Sequence, residues 1–333
     1  MLSFIVRRLF QLIFVVWGGA TLLFLLFFTL PSDPAVVMAG GTNKTPDPQV
    51  VQNIREKLGF DRPLYVQYGK FIGRVAQGDL GESYRTKEKV SDIVKQRAPV
   101  SLRLAFWAIL IEVTVGISSG VLSARRRNSL ADTFTTTTAV VASAIPVFVL
   151  GYLMKQITGV YAYQHNWPEW ARFPTLGWGP DEWYLGIIPS ADQFKYLIQP
   201  AIVLAAVSTA ILARITRTSM LETNRNDHVR TARAKGLNEK VVVRKHVLRN
   251  ALLPVVTVIG IDFGTMVGAA VLTETVFNVP GLGSKIVQAA GFRDLPIVLG
   301  LSIVVMIIFG VASLLVDLSY AVLDPRIRVG GRK

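Results

Sequence analysis

The sequence predicts an all-α integral membrane protein with six transmembrane helices. Three observations lead to this fold class: hydrophobic residues make up 51% of the 333 positions, only 17% are charged, and the apolar residues form blocks of membrane-spanning length. Soluble domains carry about 25% charged residues. A soluble enzyme is therefore not the default interpretation of this chain.

Six blocks are long enough to cross the roughly 30 Å hydrocarbon core of a bilayer, which needs about 20 helical residues. The first is uncharged and too long for the core of a signal peptide, so we interpret it as a retained anchor. The third is interrupted by Pro146. The predicted spans are Leu9–Leu30, Val100–Ser123, Thr133–Met154, Phe194–Ser219, Leu253–Phe277 and Pro296–Tyr320.

The distribution of Lys and Arg orients these spans. Nineteen of them lie in the two termini and in the segments 124–132 and 214–250, whereas the short loops 155–195 and 278–295 hold five. Segment 31–98 carries eleven, but a loop of this length is translocated largely regardless of charge. We therefore predict that both termini are cytoplasmic. The net charge of +14 then reflects orientation rather than nucleic-acid binding.

This topology divides the chain into four predicted parts. Residues 1–30 form the N-terminus and the first transmembrane helix, 31–98 a small extracytoplasmic domain, 99–323 a five-helix core with a cytoplasmic loop at 220–252, and 324–333 a cytoplasmic tail. Within the extracytoplasmic part, apolar spacing predicts helices over Val50–Phe60 and Pro63–Gln77, followed by a turn at Gly78–Gly81.

The basic cytoplasmic loop predicts two short helices. Residues 220–235 contain neither Pro nor Gly, and Gly236 is a good helix stop. Asn238 is suited to cap a second helix, Glu239–Ala251, which we expect to end before Pro254. From charge alone, such a loop binds either lipid head groups or a cytoplasmic partner, and the two interpretations have about equal weight.

This loop resembles the EAA loop of ABC importer permeases, whose consensus is Glu-Ala-Ala, three residues, Gly, nine residues and Ile-x-Leu-Pro. Ala232, Gly236 and Leu248 match that consensus. The chain departs from it at Arg230 (for Glu), Thr231 (for Ala), His246 (for Ile) and Arg249 (for Pro).

Four ordered motifs resemble the form found in peptide-importer permeases. They are GDLGESYR (78–85), RTARAKGL (230–237) with the following run to Pro254, TETVFNVPGLG (273–283) and LDPRIR (323–328). The similarity spans nearly the whole chain. The sequence therefore looks like a B-type permease subunit of dipeptide and oligopeptide ABC importers.

The resemblance implies a type I ABC importer permease fold in a prokaryotic inner membrane. A second homologous permease subunit would complete the translocation path, and two ATP-binding-cassette ATPase subunits would each receive a permease coupling helix. An extracytoplasmic peptide-binding protein would deliver the cargo. Membrane lipid is a further expected partner, and nucleic acid is not. The coupling residues implied are Arg230, Thr231, Ala232, Arg233, Ala234, Lys235, Gly236 and Leu237.

The residues themselves favour a transport subunit rather than an enzyme. The only Gly-Lys pair, Gly69-Lys70, is not in a P-loop, so we expect partner subunits to use ATP and Mg and this chain to bind no cofactor. Cys is absent and the three histidines are scattered, so no metal site is expected. Residues 116–120 match G-x-S-x-G but fall inside a predicted helix, which favours helix packing over a catalytic serine.

Charges at membrane depth are candidates for lining the path. Asp262 either attracts the amino group of a peptide or pairs with Arg103, Arg214 or Arg217. For Glu112 the alternatives are likewise to face the path or to form a structural ion pair. Asp317 and Arg214, near the predicted cytoplasmic ends, are expected to snorkel.

Two further candidates lie on the fifth span. Gly264 and Gly268, with Gly260, form a stripe of small residues that either packs against a helix, which we favour, or lines the path. Glu274, before the Pro-Gly turn, is either a gate or docking residue or a solvated interfacial charge, the latter being favoured.

Other functions remain open from sequence alone. Within the same family, the cargo could be a nickel chelate or glutathione instead of a peptide. From other classes, a passive channel leaves the cytoplasmic loop unexplained, and a membrane enzyme lacks a catalytic constellation.

Overall fold

A computed structural model describes residues 2–29, 35, 36, 39 and 47–323. The predicted tail 324–333, with most of the LDPRIR motif, lies outside the described residues. The helices are α1 (Leu2–Thr29), α2 (Pro48–Leu58), α3 (Leu64–Ala76), α4 (Val90–Arg125), α5 (Leu130–Ala144), α6 (Val147–Gln164), α7 (Ala191–Thr223), α8 (Asp227–Ala234), α9 (Glu239–Phe277), α10 (Leu282–Gly291) and α11 (Leu295–Leu323).

Irregular elements interrupt this helical architecture at a few places. A two-residue hairpin pairs β1 (Trp183–Tyr184) with β2 (Ile188–Pro189) in antiparallel register. π-helical stretches occupy Lys155–Tyr161 in α6 and Val242–Leu248 in α9. The chain forms two compact units, one of Met1–Val100 with Pro280–Lys333 and one of Ser101–Val279. Helix α4 contributes to both units.

Five helices, α1, α4, α7, α9 and α11, are long and apolar enough to span a membrane, and α5 with α6 forms a sixth candidate. Five of the six predicted spans are thus confirmed as single helices. The third is not one helix, because α5 and α6 meet at 108°. Ile145 at the break has an extended backbone, as expected before a proline, and Pro146 begins the new segment without a backbone N–H.

In the first unit, α1 packs along α11 and exposes its other face. Phe10 and Ile13 are 70% and 66% exposed, as expected of a lipid-facing surface. At one end of the pair, Arg8 donates to the Asp317 carboxylate at 3.0 Å. Asp317 is therefore held in an ion pair with Arg8, whereas the sequence predicted only that it snorkels.

The two helices predicted after α1 are confirmed within one or two residues at each end. Asp47 caps α2 by accepting from the Gln49 backbone N–H at 2.8 Å, and Gly59, in the left-handed region at φ 71°, ends it. In α3, Phe71 is buried and its ring lies 5.6 Å from that of Phe24 in α1. Helix α3 is therefore fastened to the first span by aromatic packing.

Residues 78–89 form a turn that is closed by local hydrogen bonds and anchored to the start of α11. Asp79 accepts from the Gly81 backbone N–H at 2.9 Å, and Gly81 has φ 87°. Farther along, the Ser83 hydroxyl and the Tyr84 backbone N–H both donate to the buried carboxylate of Asp294. The predicted turn at Gly78–Gly81 is present.

In the second unit, α4 and α7 lie in close contact along a glycine face. A Cβ atom added to Gly120 would lie 2.6 Å from the Ala213 carbonyl oxygen and from the Thr216 Cβ. Gly116 similarly faces Leu212, where an added Cβ would lie 3.0 Å from a methyl carbon. This confirms that the G-x-S-x-G stretch serves helix packing.

Near the basic loop, one predicted helix is divided in two and another is longer than expected. The helix expected to run to Lys235 breaks at residues 224–226, where Asn226 is extended and occupies the N-cap position of α8. The helix expected to end before Pro254 continues as α9 to Phe277. A proline removes only one backbone hydrogen bond, and in a spanning helix the neighbouring turns keep all others satisfied.

We predict that Gly300→Ala destabilises the first unit. A Cβ at Gly300 of α11 would lie 2.8 Å from Val90 Cγ1 and 3.0 Å from the Leu80 carbonyl oxygen. Overpacking of this kind costs about 1–3 kcal/mol. Thermal unfolding of the detergent-solubilised chain should occur at a lower temperature. Gly73→Ala on α3 is the matched control, because its Cβ would meet no atom within 4 Å. Equal unfolding temperatures for the two variants would contradict the close approach.

Candidate functional site

The basic loop presents α8 as a short helix with a sharply defined end. The Gly236 N–H donates to the Arg233 carbonyl at 2.9 Å, and the Leu237 N–H reaches the Ala232 carbonyl at 3.4 Å. Gly236 has φ 76°, and these two bonds form a Schellman motif. The helix stop predicted at Gly236 is therefore confirmed, and it depends on a backbone conformation that side chains rarely adopt.

One face of α8 is anchored in a small apolar cluster. Val229 and Ala232 are buried, and they belong to a cluster of residues from α7, α8 and α9. The other members are Met220, Val242, Val247 and Ala251. Of the eight residues implied by the resemblance, Ala232 is buried and Arg233 half-buried; Arg230, Thr231, Ala234, Lys235, Gly236 and Leu237 are exposed.

Arg233 ties α8 to both neighbouring helices. Its guanidinium donates to the two carboxylate oxygens of Glu239 at 2.8 and 3.0 Å and to the Asn224 side-chain oxygen at 2.7 Å. The hydrogen bonds with Glu239 raise the pKa of Arg233. A planar, bidentate pair of this kind is more specific in geometry than a Lys contact. Arg233 therefore links α8 to the start of α9 and to Asn224, which follows α7.

The histidines of this loop serve a local hydrogen-bond network. Asn250 contacts the His228 ring at 3.1 Å and donates to the His246 carbonyl oxygen at 2.9 Å. Within the described ranges, no group of three or more His, Asp or Glu side chains is arranged to hold a metal ion. His246 stands at the Ile position of the consensus, and it contributes its backbone carbonyl oxygen to this network.

A buried ion pair lies where α4, α5 and α7 meet. The Asp132 carboxylate accepts from Nε of Arg217 at 2.7 Å and from Nη2 of the same guanidinium at 2.9 Å. It also accepts from the Ser123 hydroxyl and from the Asn128 backbone N–H. The Asp132 side chain is only 6% exposed. Sequence reasoning did not identify Asp132. The available signal was Ser129, three residues before it, which caps α5 in the pattern of a capping box.

The two predicted charges at membrane depth interact with each other rather than with arginine. Glu112 on α4 is fully buried, and neither carboxylate oxygen has a hydrogen-bond partner of acceptable geometry among the described residues. The half-buried Asp262 carboxyl of α9 is close enough to act on it electrostatically. Arg217 pairs with Asp132 instead, and Arg103 pairs with Asp181 at 3.1 Å.

The remaining candidates on α9 lie in different surroundings. Glu274 is fully buried and accepts from the Ser101 hydroxyl at 2.5 Å, so the favoured interpretation of a solvated surface charge is wrong. Gly260 and Gly264 are buried, whereas Gly268 is exposed, and a Cβ there would meet no atom within 4 Å. The three glycines therefore do not form one uniform packing stripe.

Two family models match the chain. Residues 116–329 match the model described as "Binding-protein-dependent transport system inner membrane component". Residues 1–105 match the one described as "Binding-prot-dependent transport system membrane comp, N-term". Together they cover both compact units and the basic loop.

Curated relatives match over nearly their whole length. A probable peptide ABC transporter permease of Sinorhizobium fredii is 38% identical, over 98% of this chain and 99% of its own. A di/tripeptide transport system permease of Pseudomonas aeruginosa gives the same three values. A glutathione transport system permease of Escherichia coli is 36% identical, over 98% and 99%.

Among solved structures, the chain is similar to that of an amino acid ABC transporter with histidines. The two superpose with a TM-score of 0.48 and 17% identity, over 66% of this chain and 88% of that one.

Proposed function

Because the chain belongs to the family of binding-protein-dependent transport system inner membrane components, we propose that it is the permease subunit of an ATP-driven importer and forms half of a translocation path for peptides. The observation that carries this proposal is its near full-length similarity to permeases named for peptide and di/tripeptide transport. The multi-pass architecture fits such a role.

Helix α8 is the proposed contact with a partner ATPase. Its exposed residues lie beside a buried anchor, and Arg233 links it to the ends of α7 and α9. A rigid short helix on two long spans is suited to transmit a displacement into the membrane. This chain lacks a P-loop, so ATP and Mg belong to the partner subunits, and the chain itself needs no cofactor.

The proposed assembly contains a second, homologous permease, two ATPases and an extracytoplasmic peptide-binding protein. It lies in the inner membrane of a prokaryote with both termini in the cytoplasm. The excess of basic residues in the termini and in 214–250 supports that orientation. In this frame, residues 31–98 are extracytoplasmic.

The residues that we propose to line the path all belong to the second unit, and the first two are acidic. Glu112 and Asp262 place two carboxyl groups side by side with no cation paired to them among the described residues. Such an arrangement favours the binding of a cationic group, such as the amino group of a peptide. Gly264, Gly268 and Glu274 remain candidates for lining or gating.

Glutathione is a second candidate cargo. It is favoured by the relative named as a glutathione permease, which matches this chain nearly as well as the peptide permeases do. Glutathione shares peptide bonds and charged ends with the other cargoes. Uptake competition between a dipeptide and glutathione separates the two.

Co-purification tests the proposed importer. The chain, tagged and expressed at its native level, should recover one or two P-loop ATPases and a second six-helix permease from mild detergent. Mass spectrometry identifies them, and an untagged strain is the control. A folded preparation that contains only this chain would contradict the proposal.

Substitution of Gly236 tests the coupling helix. Gly236→Val should reduce peptide uptake about tenfold or more, because a β-branched residue is strained at φ 76° and the Schellman end is lost. Gly236→Asn is the matched control, since Asn tolerates this conformation and should retain most uptake. Equal membrane insertion of both variants is verified by immunoblot. Undiminished uptake by Gly236→Val would contradict the assignment of α8.

Substitution of Asp262 tests the path. Asp262→Asn should lower uptake of peptides with a free amino terminus more than uptake of N-acetylated ones, because it removes charge but little volume. The measurement is uptake of the two labelled peptides by whole cells. Asp192→Asn, at an exposed pair with Lys195, is the control. An unchanged ratio between the two peptides would leave Asp262 with a structural role only.

A further inference from the structure

A cavity lies in the first unit where two spanning helices meet the segment between α1 and α4. Its volume is about 350 Å³, within the range of small-molecule sites. Phe28 is the last residue of the span in α1, and Leu295 is the first residue of the span in α11; both line the cavity. The cavity therefore lies at a membrane boundary, on the side opposite to the chain termini.

The wall formed by the helices is apolar. Phe28 of α1, Phe71 of α3, and Leu299 and Ile303 of α11 all line it. Phe71, Leu299 and Ile303 are 8% or less exposed. An apolar wall of this kind suits a hydrocarbon chain better than a polar molecule.

The cavity is also lined by charged residues of both signs, which we call the rim. Arg74 and Lys87 supply two cations, and Asp79 and Glu82 supply two carboxylates; all four side chains are exposed at the cavity. Recognition of anionic lipids is typically carried by clusters of Lys and Arg. A rim with balanced charge instead matches a head group that carries both signs.

Tyr84 adds a neutral hydrogen-bonding group to the lining of the cavity. Its burial raises the pKa of its hydroxyl to about 12, so the phenol stays protonated at neutral pH. Arg74 lies close enough to act on it electrostatically. The hydroxyl can thus donate to a phosphate or ester oxygen that enters beside Arg74.

We propose that this cavity binds a zwitterionic aminophospholipid, with an acyl chain against the apolar wall, the phosphate facing Arg74 and Lys87, and the ammonium facing Asp79 and Glu82. None of the residues that line the cavity is among the proposed path-lining residues, so this proposal does not depend on that path. A zwitterionic peptide matches the rim but has no long hydrocarbon chain for the wall.

Photolabelling in lipid nanodiscs tests this site. The full-length chain is reconstituted in phosphatidylglycerol with a trace of phosphatidylethanolamine that carries a diazirine near the end of one acyl chain. Mass spectrometry of the labelled peptides should place label at the Phe28 and Leu299–Ile303 segments. At these segments, labelling by the phosphatidylethanolamine probe should be about threefold or more stronger than labelling by a matched phosphatidylglycerol probe. The reason is that only the zwitterion satisfies the rim charges of both signs.

Variants separate the site from general lipid contact. The double variant Arg74→Gln, Lys87→Gln should lower the labelling of these segments about fivefold, since both phosphate contacts are lost. Val75→Trp, which fills the cavity from α3, should do the same without a change of charge. Lys70→Gln, on the same helix but away from the lining, is the control and should label as the unaltered chain does. Size-exclusion profiles establish that each variant is folded.

Three results would overturn the proposal. One is equal labelling by the phosphatidylethanolamine and phosphatidylglycerol probes. The second is label spread evenly over the exposed face of α1, including the region of Ile13, which indicates bulk lipid. The third is displacement of the lipid probe by a dipeptide such as Ala-Ala, which indicates a peptide site.

Discussion

The constraint on which this structure depends is that polar groups inside membrane-spanning helices must find their partners within the protein, because the bilayer core has no water to satisfy them. Asp132, at the predicted cytoplasmic end of the third span, shows the same requirement for a buried carboxylate, with Arg217 in a bidentate pair and two further donors bound to it. Ser101 serves Glu274 in the same way. Some described buried groups do not meet this requirement: side-chain atoms without a hydrogen-bond partner belong to Glu112, Gln199, Thr209, Thr216 and Thr273. Of these five, Glu112 alone is a carboxyl, and the group that acts on it is another carboxyl, that of Asp262. A departure from so general a rule is a functional candidate by default.

Close helix contact is the second feature of the architecture. Without a hydrophobic driving force between helices in lipid, packing depends on small residues that let backbones approach. Gly116 and Gly120 serve this purpose between α4 and α7, and Gly300 does so where residue Leu80 reaches α11. This contact holds the 78–89 turn at the membrane boundary, where Asp294 accepts a hydrogen bond from Ser83 of the turn. Residues of the turn then supply most of the charged rim of the cavity.

The basic loop holds helix α8, the proposed ATPase contact, at the ends of two spanning helices. Its apolar anchor is small, but Arg233 also links α8 to both neighbouring spans, so that two kinds of contact hold the helix that carries the exposed residues. Six of the eight residues that the family resemblance implies for coupling are exposed. An exposed helix end on a rigid base is what a partner ATPase would need in order to move the permease, since a flexible loop would absorb the displacement.

The sequence by itself determined the membrane class, the six spans, the helices after α1 and the stop at Gly236, because hydropathy and backbone preference are local properties. The sequence also marked Pro146 as an interruption of the third span, but only the tertiary structure decided that Pro254 lies inside a continuous helix. It also decided the partners of the charges, such as Ser83 with Asp294, which are 211 positions apart. Such pairs depend on which helices lie side by side, and no local pattern of residues encodes that arrangement.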